Sequence, residues 1–134
     1  MTNSITASVE FFFKGEKFTA SIELDLDQYM HASGKLPDLY PLLARSINLD
    51  LYSYEYEMMQ AEKISYSNAK NLAAEHTIED VLDEAAFEAS WYESKQLEIC
   101  QKIAKEYLSI NQLQQHPELK NALLEAYRQG MKTL

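Results

Sequence analysis

Glycine is scarce in this chain, with three residues (Gly15, Gly34 and Gly130) and no two of them close together. That excludes a glycine-rich phosphate loop, which needs several glycines within a few residues so that backbone N–H groups can close on a phosphate. No G-x-S-x-G nucleophile turn is present either. Cysteine occurs once, at Cys100, so an internal disulfide is impossible and a zinc site built on cysteines is excluded within one chain. There is no run of about 18 apolar residues to cross a bilayer, and Met1-Thr2-Asn3-Ser4 lacks the basic start and apolar stretch of a signal peptide. These absences predict a soluble, cytoplasmic protein, and 134 residues predict a single domain over 1–134.

Positive charge is also in short supply, and its distribution is uneven. Residues 1–48 hold four Lys or Arg against six Asp or Glu, residues 49–99 three against twelve, and residues 100–134 five against three, giving a net charge of -9. An acidic middle segment repels nucleic acid and anionic membrane surfaces, which need clustered Lys and Arg. Neither is expected as a partner; a basic protein surface is allowed.

What the chain does have is pattern. Ile5, Ala7, Val9, Phe11 and Phe13 alternate with Thr6, Ser8, Glu10 and Phe12, and Phe18, Ala20, Ile22, Leu24 and Leu26 with Thr19, Ser21, Glu23 and Asp25. This period of two predicts an antiparallel hairpin over 5–13 and 18–26. Gly15 at the first central position of a two-residue loop predicts a type II′ turn, with Phe13 paired to Phe18 and Phe11 to Ala20. Asp27 and Gly34 bracket a short helix, and Asp38 opens a second carrying Leu39, Leu42, Leu43 and Ile47. Residues 49–65 carry both a strand-like alternation of Tyr52, Tyr54 and Tyr56 and a helix-favouring Met58–Lys63 stretch, and helix is the expectation. Were 49–56 a strand, the hairpin would gain a third one.

Ser67 is placed as the cap of a short helix over 69–75. Thr77 and Asp80 predict a capping-box start for the longest helix, near 78–108, since Ile78, Leu82, Ala85, Ala89, Tyr92, Gln96, Ile99, Ile103 and Ile110 keep the 3-4 spacing. Pro117 opens a closing helix stopped by Gly130. The expected fold class is therefore α+β: an N-terminal antiparallel hairpin packed on a mostly helical body of about five helices.

No constellation of reactive residues stands out. His31, His76 and His116 lie on different elements without metal-ligand spacing. Cys100, mid-helix beside Ile99 and Ile103, reads as core rather than nucleophile. No catalytic residue, metal or cofactor is assigned. On a helical wheel, Phe87 and Trp91 fall opposite the 82, 85, 89, 92 stripe, among Asp80, Asp83, Glu84 and Glu88. Two readings follow: a second layer of helices covers the pair, or Phe87 and Trp91, rimmed by Asp80, Glu84 and Glu88, anchor a protein partner. Phe12, projecting from the polar face of the hairpin, adds a second candidate surface, and the hairpin edge invites pairing with a second copy as a homodimer.

The function expected on these grounds is non-catalytic protein binding by a small acidic cytosolic adaptor, chaperone-like or regulatory protein. One alternative is a small enzyme or ligand-binding protein whose pocket gathers Tyr52, Tyr54, Tyr56 and a histidine with carboxylates. Another is an acidic decoy of nucleic acid. In size, acidity and want of motifs the chain is similar to the small acidic secretion chaperones of bacteria, but those begin with a helix and carry a larger sheet, so the likeness is one of composition alone.

Overall fold

The protein is described by a computed structural model over residues 2–132. Its α+β fold opens with the expected hairpin. Strands β1 (Ser4–Phe13) and β2 (Glu16–Asp25) pair antiparallel, with Phe11 opposite Phe18 and Phe13 opposite Glu16. This is a two-residue slide from the expected pairing, and the turn is type I′, with Lys14 at φ 52° and Gly15 at φ 79°. The correction has a plain cause. A slide of two residues leaves every side chain on the same face, so hydrophobic alternation fits both registers equally. The turn decides, and a type I′ turn matches the right-handed twist of the strands. In the observed register the Phe11 and Phe18 rings stack at 5.0 Å, and on the opposite face the Ser8 and Ser21 hydroxyls lie 3.0 Å apart.

Helix α1 (Leu26–Ser33) follows directly and ends at Gly34, whose φ of 76° is the left-handed stop. Its cap is Asp25 rather than the expected Asp27, because Asp27 reaches back to Asn3, accepting the Asn3 backbone N–H and side-chain amide, each at 2.8 Å. Helix α2 (Leu39–Ser46) is capped by Asp38 as expected, and α3 (Tyr54–Gln60) bears out the helical reading for the middle of the 49–65 stretch, with Tyr52 in the turn before it.

A third strand does form, but from other residues. β3 (Ser65–Lys70) joins the free side of β1, giving the order β2-β1-β3, so Ser67 lies in a strand and caps no helix. The short helix is α4 (Leu72–Glu75), tied to the chain start by Asn71, which donates to the Thr2 carbonyl at 2.6 Å, and by the Leu72 N–H donated to Asn3 Oδ1 at 2.9 Å.

The long helix starts later than expected. Residues 77–82 form a small hairpin, β4 (Thr77–Ile78) with β5 (Val81–Leu82), turned by Glu79 at φ 58°. Thr77 does not cap forward; its hydroxyl donates backward to the Ala73 carbonyl at 2.6 Å. Asp83 takes over as cap, accepting the Ala86 N–H at 3.1 Å, and α5 runs over Glu84–Leu108. Ser109, at φ 58°, ends it. A 3-10 turn (Leu113–Gln115) leads to α6 (Pro117–Lys132), which continues through Gly130 rather than stopping there.

The chain divides into two compact units, one up to Glu88 and one from Ala89. In the first, α2 packs on β2 and α3 on β1, burying Ile5, Val9, Phe11, Leu43 and Met59. In the second, Cys100, Ala104, Leu113 and Leu124 form a core, with Leu97, Ile110, Leu119 and Leu123 against it. Gln101 locks the connecting loop there, donating to the Ile110 carbonyl at 2.9 Å and accepting the Leu113 N–H at 2.6 Å. Among the described residues no helix is long and apolar enough to cross a membrane.

Candidate functional site

The residues singled out as a partner-binding set separate in the structure. Phe87 is 0% and Trp91 6% exposed, so the aromatic pair belongs to the interior and offers no outer face. The physical reason is burial itself: two large rings beside carboxylates gain more by leaving water than by marking a surface. The acidic residues around them hold the fold. Glu88 accepts the Leu36 N–H at 2.9 Å, fixing the connector between α1 and α2. Asp80 accepts the Tyr66 N–H through its backbone oxygen at 2.9 Å and the Ser65 hydroxyl through its carboxylate at 3.3 Å, which covers part of the β3 edge. Phe12 is exposed on the polar sheet face, opposite Lys17, and Lys17 pairs with Glu10 at 3.0 Å.

The tyrosine pocket expected as an alternative is not built from Tyr52, Tyr54 and Tyr56. The first two are exposed and the third is buried. A different pair of tyrosines converges instead, in a cavity of about 340 Å³ lined by Asp38, Tyr40, Lys63, Tyr66, Val81 and Glu84 among others. Burial pushes the Tyr66 phenol up to about 12, with Glu84 and then Tyr40 adding to it. The Glu84 carboxyl is also raised, first by desolvation and then by the charges of Glu88 and Asp38. No histidine lines this cavity, and among the described residues no group of three or more His, Cys, Asp or Glu could hold a metal.

A raised carboxyl has a stability consequence with a definite sign. Between its ordinary value of 4.5 and its higher folded value, Glu84 holds more proton in the native chain than in the unfolded one, so stability falls as pH rises through that window. Glu84→Gln is therefore expected to raise the urea midpoint at about pH 7 and to leave it nearly unchanged at about pH 4. An equal shift at both pH values would assign the effect to packing instead of charge.

The surface that sequence reasoning placed inward is the one that lies open. Tyr92 (44%), Ile99 (42%), Ile103 (41%) and Tyr107 (75%) are exposed along one line of α5. With Gln96, these positions step by four, three, four and four residues, so they share a face. The covered apolar residues of this helix fall on two other sides, Phe87 and Trp91 near its start and Cys100 and Ala104 further on, with the open line between them. Single exposed apolar residues are ordinary, whereas a line of them on one rigid helix is the unusual observation. Beside it, Lys95 sits over the Trp91 ring at 5.4 Å and pairs with Glu98 at 3.5 Å. Cys100 is buried, and its thiol is raised by desolvation, with Arg128 pulling the other way.

No family model matches the chain, and no curated protein or solved structure matches it.

Proposed function

We propose that the chain is a non-catalytic protein-binding module, a small acidic cytosolic adaptor or regulatory protein, and that its docking face is the open line Tyr92, Ile99, Ile103 and Tyr107. The observation that carries this reading is their exposure as one line on a helix that is packed to either side of it, at Phe87 and Trp91 and at Cys100 and Ala104. Rigid support removes much of the ordering entropy that a flexible segment would lose on binding, and tyrosines flanking isoleucines supply large contact area at few rotatable bonds. The cavity at Tyr40 and Tyr66 supports catalysis poorly. A phenol pushed up to about 12 is protonated and a weak general base near neutral pH, and no histidine stands by to take its proton.

The test is differential capture. Tagged wild-type protein and the Ile103→Asp variant are used as baits, with the proteins recovered by each identified and quantified. Loss of the same proteins from the variant, with its far-UV circular dichroism unchanged, is the expected result. Identical recovery by both baits would overturn the assignment of the docking face.

A further inference from the structure

The spacing along the open line says what kind of surface fits it. Tyr92 and Ile99, and likewise Gln96 and Ile103, stand seven residues apart, the repeat of helices that wind around each other. An extended peptide repeats every two residues and would meet only alternate positions. The occupant that matches throughout is another helix bearing the same repeat, and α5 itself is such a helix. Building on the docking reading, we infer that the line is a two-fold seam on which α5 of a second copy lies antiparallel, with Ile99 of each copy against Ile103 of the other.

Charge complementarity selects this arrangement over its neighbours. With Ile99 against Ile103, residues of the two copies meet when their numbers sum to about 202. Gln96 then faces Glu106 of the second copy, an amide against a carboxylate, and Lys95 comes beside the same Glu106. On the other flank Tyr107 comes level with Glu93, a phenol O–H donor beside a carboxylate. Each of these meetings occurs twice by symmetry. Sliding by one seam layer would set Gln96 against Ile99 and bring Lys95 to Lys102 twice, burying an amide without a partner and opposing like charges. Two helices parallel and in register would place Glu106 directly on Glu106 within the seam. The one like-charge meeting in the preferred arrangement is Lys102 with its twin, and both ammoniums sit on long stems that can turn to solvent, where salt screens them.

The seam is short. It spans about two heptads with two isoleucine layers at its centre, which places it at the small end of specific interfaces and predicts a dissociation constant on the order of 10 μM.

Sedimentation equilibrium of the full-length chain between about 1 and 200 μM tests this directly. Expected is a concentration-dependent rise from 15.5 kDa toward twice that mass. Ile103→Asp is expected to weaken association roughly a hundredfold or more, because each copy would put a carboxylate against Ile99. Ile99→Lys serves as the second variant should Ile103→Asp lose ellipticity. Direction is read by oxidation in a Cys100→Ala background: an equimolar mixture of Ile99→Cys and Ile103→Cys chains should form a mixed disulfide, while either variant alone should not cross-link. A wild-type chain monomeric at 200 μM, a dimer that both seam variants leave intact, or cross-linking of Ile103→Cys with itself would each overturn the proposal. A monomeric wild type whose protein capture is still lost in Ile103→Asp would remove the second copy and leave the docking face standing; unchanged capture would remove both.

Discussion

Truncating Phe87 to alanine is expected to lower the unfolding free energy by about 3–5 kcal/mol, the range for emptying a fully buried aromatic site. Phe87 is completely enclosed, at the first turn of α5, where its N–H is donated to the Asp83 carbonyl at 3.0 Å. Removing the ring deletes its transfer free energy and leaves a void that a helix held at its start by Asp83 cannot collapse to fill. In urea, the midpoint should fall while the slope stays constant, since the surface exposed on unfolding hardly changes. The opposite pattern, normal stability with loss of a protein partner, would mean that Phe87 is an anchor presented outward after all.

A second large effect is expected from a residue that carries no motif. Asn3 is the buried polar residue at the foot of β1, and its side chain joins three segments. Its amide nitrogen donates to Asp27 of α1 at 2.8 Å, its carbonyl accepts from Leu72 of α4 at 2.9 Å, and its backbone oxygen accepts the Leu26 N–H at 2.9 Å. Asn3→Ala would remove the acceptor of the Leu72 N–H and one donor to Asp27, and we expect a loss of roughly 2 kcal/mol, given about 1–3 kcal/mol for a stranded buried group. Hydrogen exchange locates the damage: amides of α4 and of the first turn of α1 should exchange faster, while those in the second unit should not. Uniform acceleration throughout would show that Asn3 governs global stability rather than this junction.

Asn3 also shows where sequence reading stops. Its partners lie 24 and 69 residues away, and an isolated asparagine near a chain start gives no local signal of them. The hairpin, by contrast, was readable because alternation is local, although its register was not. The residues that set it are Lys14 and Gly15, and lysine is not a residue from which a left-handed backbone is anticipated. Strand β3 was missed because Ser65–Lys70 is polar, with Tyr66 and Ala69 as its partly buried members, too few to show alternation. The start of α5 was misplaced for a related reason: Thr77 and Asp80 fit the spacing of a capping box, but Glu79 adopts the turn conformation that ends a strand.

The face of α5 is the most instructive case. Periodicity located the Tyr92, Ile99, Ile103 line correctly and placed it on the wrong side. A helix with one apolar arc announces its interior. A helix with three apolar patches, Phe87 with Trp91, Cys100 with Ala104, and the isoleucines between them, does not say which are covered, because that depends on what the rest of the chain brings to it.

Cys100 turns the second unit into its own clock. The chain's sole sulfhydryl lies behind Ala104, Leu113 and Leu124, and burial disfavours its thiolate, so an alkylating reagent in the surrounding water reaches it only when those helices part. The labelling rate at rising reagent concentration therefore counts spontaneous openings of that unit, molecule by molecule, without any added probe.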